Sequence, residues 1–356
     1  MKTVSNYHKM IRRIRTGVKS FIADKNKKKT AQIFKEFLIL WIEQRRFPFH
    51  YFSRFLYRTN YKNYKDYLST PELMKLNYSD KIQNSFFVDI LENKLFFALL
   101  IEKNDLPAPK LFGYNSAGNF YWNQKKMNLK SNSDLVVFFH SIFKNLNISR
   151  IFIKSIKDKG GTGIFLLQEK YLEEQIKNIG TIILNGSYIH QECLTQHSEI
   201  NKIYDKSINT LRIDVCTNNN DIPYLLGSVM RFGRGGSEID NRSKGGFCVS
   251  IDDTTGCFQK KGFTQMKFGS KEFYKHPDSN FVFDGFKIPF YAECRQLALD
   301  LSLNYPNKII GWDIAITPNG PSIIEGNHNT NLTMSEVGYG GYKKHPLIKE
   351  MLETTI

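Results

Sequence analysis

Residues 311–327, GWDIAITPNGPSIIEGN, set two apolar runs on either side of Pro318-Asn319-Gly320, a pattern that predicts a β-hairpin. Pro presets the first turn position, and Gly supplies the positive φ of a three-residue loop with its bulge. Counted from that loop, Thr317 faces Pro321, Ile314 faces Ile324, and Asp313 falls opposite Glu325. Asn327 lies two residues further along the same face, while Trp312, Ile314 and Ile324 take the core side. Directly opposed side chains have Cβ atoms about 5 Å apart, and like charges there destabilise a sheet. A divalent cation would reverse that penalty; Mg²⁺ accepts one or two carboxylates plus substrate phosphates, and an amide oxygen can complete the set. Without metal, neutralising either carboxylate is expected to raise stability. The competing reading is a solvated outer face of the hairpin.

The rest of the chain must place that hairpin on a body. At 356 residues it can bury a sizeable core, with room for two or three domains. Its 41% hydrophobic and 24% charged residues are ordinary for a globular protein. The longest apolar run, Leu95 to Ile101, is far short of a membrane span. Asp24 and the lysines after it cut off any apolar signal region, so the expected location is cytoplasmic, with membrane-peripheral attachment as a second reading. Five scattered cysteines without a CxxC pair argue against a disulfide framework and a structural zinc site. A net charge of +16 calls for acidic partners, among which charge alone does not choose.

Four segments are expected: 1–80, a basic aromatic helical extension; 81–132; 133–194; and 195–356. In the first, Phe47, Phe49, Tyr51, Phe52, Phe55, Tyr57, Tyr61, Tyr64 and Tyr67 mix with Lys and Arg. Such a stripe packs on the body or, as the alternative, meets an anionic membrane. Met10, Ile11, Ile14, Val18, Phe21 and Ile22 recur at helical spacing among cations, as in a helix lying on an anionic surface. One helix is predicted over 85–104, closed by Leu106-Pro107-Ala108-Pro109, then a strand at 110–114 and a helix over 133–146 starting near Ser133 and Asp134. Strand 150–154 leads through the glycine loop 158–163 to strand 163–167, helix 169–178 and strand 188–194. Strands and turns dominate afterwards, with a helix at about 290–303. Strands and helices without βαβ regularity indicate an α+β fold.

With these residues in place, the Asp313…Glu325-x-Asn327 pattern resembles the metal hairpin of ATP-grasp ligases. GWDIAITPNGPSIIEGN is most similar to the sugar-transfer-associated ATP-grasp family of surface-polysaccharide genes. The resemblance covers roughly residues 85–335. It implies an ATP-grasp fold with a lid subdomain at 133–194 and a central catalytic domain at 195–356. It implies ATP and Mg²⁺, with Asp313, Glu325 and Asn327 on the metal.

Lys154 ends an apolar strand and precedes Gly160, Gly161 and Gly163, glycines that free backbone N–H groups for phosphate oxygens. A plain hairpin turn explains the glycines equally well. By the resemblance, this is the lid hairpin: Lys154 touches the α- and β-phosphates and Lys94 is the first nucleotide lysine. YIHQECLTQHSEI resembles the strand whose backbone pairs with adenine, which assigns Gln191, Glu192 and Leu194 there and Glu199, or His197, to the ribose. INTLRIDV and VMRFGRGGSEIDNRSKGG offer Asn209, Arg212, Arg231 and Asn241 for catalysis. A guanidinium suits phosphate and carboxylate because its planar fork donates two parallel hydrogen bonds. Where a related branch has an arginine just before the hairpin aspartate, this chain has Trp312, which moves that role to Arg231.

No G-x-S-x-G, Walker or Rossmann signature is present. A nucleic-acid-binding basic protein is the non-enzyme alternative, disfavoured by a carboxylate hairpin that repels phosphate unless metal-filled. An ATP-grasp-like kinase differs only in its acceptor. The implied reaction joins a carboxylate to an amine through an acyl phosphate, one substrate being a small molecule or glycan, in surface-polysaccharide modification such as amino acid to sugar.

Overall fold

The structure is a computed structural model and describes residues 15–157, 163–241 and 244–355. Gly160 and Gly161 fall within residues 158–162, and Met10, Ile11 and Ile14 precede the first described residue; these expectations lie outside the described residues. Chain contacts divide the molecule into two units: residues 1–88, 196–320 and 326–356, and residues 89–195 with 321–325.

The N-terminal part of the first unit is helical: α1 (15–23), α2 (Thr30–Gln44), α3 (Phe49–Ser53) and α4 (Thr70–Tyr78), followed by α5 (Ser85–Glu92). Ser69 caps α4 in a reciprocal box with Glu72, and Pro71 stands in its first turn, where a missing N–H costs nothing. Tyr51, Phe55, Leu56, Tyr57, Tyr61 and Tyr67 are buried and form one core with Phe263 and Val337. The aromatic stripe therefore packs on the body of its own unit from Tyr51 to Tyr67, while Phe47 and Phe49 stay exposed.

The second unit begins at residue 89, inside α5, and the single expected helix breaks shortly after. α6 (Lys94–Lys103) is separate from α5 because Asn93 turns out of the helix and its side chain caps the N–H groups of Leu95 and Phe96. Next come β1 (Leu111–Ser116), β2 (Asn119–Trp122), β3 (Lys125–Asn128), α7 (Asn132–Leu146), β4 (Arg150–Ser155), β5 (Ile164–Gln168), α8 (Leu172–Asn185) and β6 (Ser187–Gln191). They make a six-stranded antiparallel sheet of order β3-β2-β1-β6-β4-β5, so residues 111–128 share a sheet with 150–191. Ser131, rather than Ser133, caps α7, with Asp134 closing the box. Leu135, Phe139 and Ile142 of α7 and Leu172, Ile176 and Ile183 of α8 bury one sheet face through Ile151 and Ile153. Alternation sends Phe152 and Lys154 to the opposite face.

The first unit then resumes with α9 (Ser198–Asn201), β7 (Thr210–Thr217), β8 (Pro223–Phe232), β9 (Phe247–Asp252), β10 (Cys257–Phe263), β11 (Glu272–Phe273), α10 (Tyr291–Leu303), β12 (Ile309–Thr317) and β13 (Gly320–Asn327). α11 (Glu336–Tyr339) and α12 (Pro346–Thr354) end the chain. The strands form one sheet, β11-β10-β9-β8-β7-β12-β13. Gly320, at φ 119°, supplies the positive φ expected of the hairpin turn. Trp312 and Ile314 are fully buried, and the Trp312 indole donates to Ser302 Oγ of α10 at 2.8 Å. Ile324 departs from expectation: it is half-buried, and Ile323 is the buried residue, its N–H bound to Pro107 O. Residues 321–325 belong with the second unit, whose chain covers Ile323.

Candidate active site

Register brings the central charges of the first unit together. Asp313 of β12 is the direct cross-strand partner of Arg212 on β7, and Arg212 pairs in turn with Val229 of β8, two residues before Arg231. All three charged side chains thus stand on the sheet face opposite the one Trp312 and Ile314 bury. Arg212 Nε donates to Asp313 Oδ1 at 2.5 Å and its Nη2 to Oδ2 at 3.1 Å, a two-pronged grip. Arg231 Nη2 reaches the same Oδ2 at 2.8 Å, while its Nε donates to Thr210 Oγ1 at 2.7 Å. Asp240 accepts from Thr210 N at 2.9 Å and sits 3.5 Å from Arg231 Nε. Asn327 Nδ2 lies 3.4 Å from Asp313 Oδ2, the same-face relation expected of it.

Asp313 is fully buried, which removes the solvated outer face as a reading of this residue. It also overturns the expectation that neutralising Asp313 raises stability. The premise was an uncompensated carboxylate, whereas this one offsets two guanidinium groups.

Two more sequence candidates take local hydrogen bonds. Asn209 is fully buried and its Nδ2 donates to Gln196 Oε1, Tyr204 O and Ser207 O, tying down the segment before β7. Asn241 accepts the backbone N–H of Lys244 at 2.9 Å through its carbonyl. Glu199 sits on α9, ion-paired with Lys202 at 2.6 Å, and His197 Nδ1 caps that helix by accepting Glu199 N–H. Asp214 was not anticipated. Two residues beyond Arg212, it accepts from Thr330 Oγ1 and, at 2.8 Å, from Ser335 Oγ; burial raises its pKa. The alternation Thr210, Arg212, Asp214 in the sequence carried the signal for this polar row.

In the second unit, Lys154, Ile189 and Gln191 share the sheet face opposite α7 and α8, since Lys154 pairs with Ile189 and Phe152 with Gln191. Burial pushes the Lys154 ammonium down to about 8; Lys94 adds to this, while Glu325 and Cys193 oppose it. Lys154 Nζ also rests 5.2 Å from the Phe152 ring centre. Lys94 opens α6, its N–H bound to Ile156 O at 3.1 Å. Gly163 has φ 65° and its carbonyl accepts Ser155 N–H, joining the ends of the loop. Gln191 is buried with Nε2 3.5 Å from Pro109 O. Glu192 exchanges backbone and side-chain bonds with Lys110, and Leu194 follows, half-buried, beyond β6.

The oxygen donors of Asp313, Glu325 and Asn327 suit a hard divalent cation. Among the described residues no group of three His, Cys, Asp or Glu is placed to hold one. Both Asp313 oxygens are engaged by arginine, so a cation there would have to displace a guanidinium contact.

The chain matches the sugar-transfer-associated ATP-grasp proteins across residues 73–348. The chain belongs to that family. Its α+β architecture is thus an ATP-grasp fold. No match was found among curated proteins. Among solved structures, biotin carboxylase from Campylobacter jejuni, in an ATP complex, is 11% identical over 75% of this chain and 46% of its own, at TM-score 0.44. D-alanine–D-alanine ligase from Coxiella burnetii is 9% identical over 75% and 57%, at 0.40. D-alanyl-alanine synthetase A from Vibrio cholerae is 10% identical over 75% and 65%, at 0.43. The chain spans less than two thirds of each of these relatives, and family membership rests on the match over 73–348.

Proposed function

We propose that this ATP-grasp protein is an ATP-dependent carboxylate–amine ligase. A substrate carboxylate attacks the γ-phosphate of ATP, giving an acyl phosphate and ADP. An amine then attacks the acyl carbon, phosphate leaves, and an amide remains. The observation that carries the reading is the Lys154 ammonium, buried on a sheet face where desolvation pushes its pKa down to about 8. A desolvated ammonium is unfavourable unless a polyanion compensates it, and a nucleotide phosphate chain is such a polyanion.

In this reading Lys94 and Lys154 neutralise phosphate oxygens, with the glycines at 160, 161 and 163 offering backbone N–H groups. Gln191, Glu192 and Leu194 receive the adenine and Glu199 the ribose. Asp313, Glu325 and Asn327 hold Mg²⁺, which supplies charge neutralisation on the phosphates. Arg212, gripped by Asp313, and Arg231, kept in place by Thr210 and Asp240, orient the transferred phosphoryl group and the acyl phosphate, with Asn209 and Asn241 supporting them. The family's tie to sugar transfer supports a surface-glycan substrate bearing one of the two reacting groups, handled at the cytoplasmic side with peripheral contact to an anionic membrane.

The test is ADP release across a matrix of amino acids and uronic or amino sugars. Mg²⁺-dependent ADP formation requiring one carboxylate and one amine is expected. Lack of ATP binding, or ADP release indifferent to both, overturns the proposal.

A further inference from the structure

α2 buries a carboxylate and leaves large apolar side chains exposed. Glu36 points inward, where its carboxylate accepts from Lys28 Nζ and Tyr51 OH at 2.7 Å and from Gln32 Nε2 at 2.9 Å. Leu40, on the same side, is also buried. The outward stripe is apolar: Phe34, Leu38, Trp41 and Ile42 recur at helical spacing and are 65, 40, 47 and 68% exposed. Phe47 and Phe49, 59 and 57% exposed, extend it beyond the helix end. Phe47 packs against Phe37 and Trp41, with ring centres 5.3 and 6.4 Å apart, so the patch is continuous rather than scattered.

Cations border it. Lys29 and Lys35 are exposed at one end and along the flank, Arg45 and Arg46 at the other end. The acid near the stripe, Glu43, is paired with Lys65 at 2.5 Å. Aromatic and aliphatic side chains set among cations, on a chain of net charge +16, match a surface that is apolar within and anionic at its boundary.

We propose that the exposed face of α2, continued by Phe47 and Phe49, seats on an anionic lipid surface. This deepens the membrane contact named above and does not depend on the ligase chemistry.

Full-length protein is sedimented with vesicles of phosphatidylcholine alone and of phosphatidylcholine with phosphatidylglycerol, beside a Phe34→Ser/Trp41→Ser/Ile42→Ser variant. Wild type binds the anionic vesicles, less so as salt rises, and the variant binds about tenfold more weakly or not at all. Emission of Trp41, isolated by difference against Trp41→Phe, shifts to the blue on anionic vesicles and needs no folded triple variant. Lack of wild-type binding, equal binding by a folded triple variant, or an unshifted Trp41 overturns the proposal. So does a concentration-dependent dimer abolished by the triple substitution without vesicle binding, since a second copy then covers the face. ATP binding by the same proteins without vesicles reads the ligase proposal separately.

Discussion

Asp313 sits under two guanidinium groups with no access to water, so its charge is needed for folding as well as for the proposed metal. Asp313→Asn is expected to abolish Mg²⁺-dependent ADP formation and to lower stability by about 3 kcal/mol, the usual result of leaving a buried charge without its partner. Urea unfolding checks the second effect, and a stabilised variant would contradict the pairing described here. Lys154 poses the opposite problem. With its pKa near 8 when folded and 10.5 as the ordinary value, the unfolded chain binds more protons between those two pH values. Stability therefore rises with pH across that window, and the burial penalty stands in full below it. Because phosphate binding needs the ammonium, kcat/KM for ATP should fall above about pH 8. In Lys154→Arg that decline should vanish; an unchanged profile would exclude Lys154 as its source.

Among the elements, β6 carries a buried base within an aromatic layer. His190 lies against Phe120, Phe138 and Phe139, with Nε2 3.1 Å from Asn115 Oδ1. Burial lowers its pKa from 6.5 to about 3, so it remains neutral in the folded state. As pH falls through 6.5 the unfolded chain takes up the proton first, and stability is lost from there downward. His190→Gln, which keeps an amide donor and does not titrate, should flatten the loss between pH 6.5 and 4 in urea unfolding. Equal slopes in both proteins would mean that His190 gains its proton without unfolding.

For the whole molecule, the N-terminal helices are part of the first unit's core rather than an appendage. Arg54 of the chain just past α3 and Glu336 of α11 form a buried ion pair at 2.6 Å, and Glu336 Oε1 also accepts Leu68 N–H at 2.8 Å. Arg54→Ala should destabilise the protein by about 3–5 kcal/mol, because Glu336 is left buried without the cation that compensates it. A change below about 1 kcal/mol in denaturant unfolding would show that this pair contributes little.

The hairpin, the buried Trp312, the same-face placement of Asn327 and the strand that ends in Lys154 were legible in the sequence, because period-two alternation and turn chemistry are local properties. The paired Arg212 and Asp313, 101 positions apart, were both singled out, yet their mutual grip was invisible: strand order β7-β12 is a long-range choice. The break at Asn93 was missed because a capping side chain and a continuing apolar run look alike until a carbonyl such as Ile156 O takes the Lys94 N–H. The outward apolar stripe of α2 was equally hidden. Periodicity shows that a helix has an apolar face, but only packing decides which side chains turn inward, and here Lys28 and Tyr51 hold Glu36 inside.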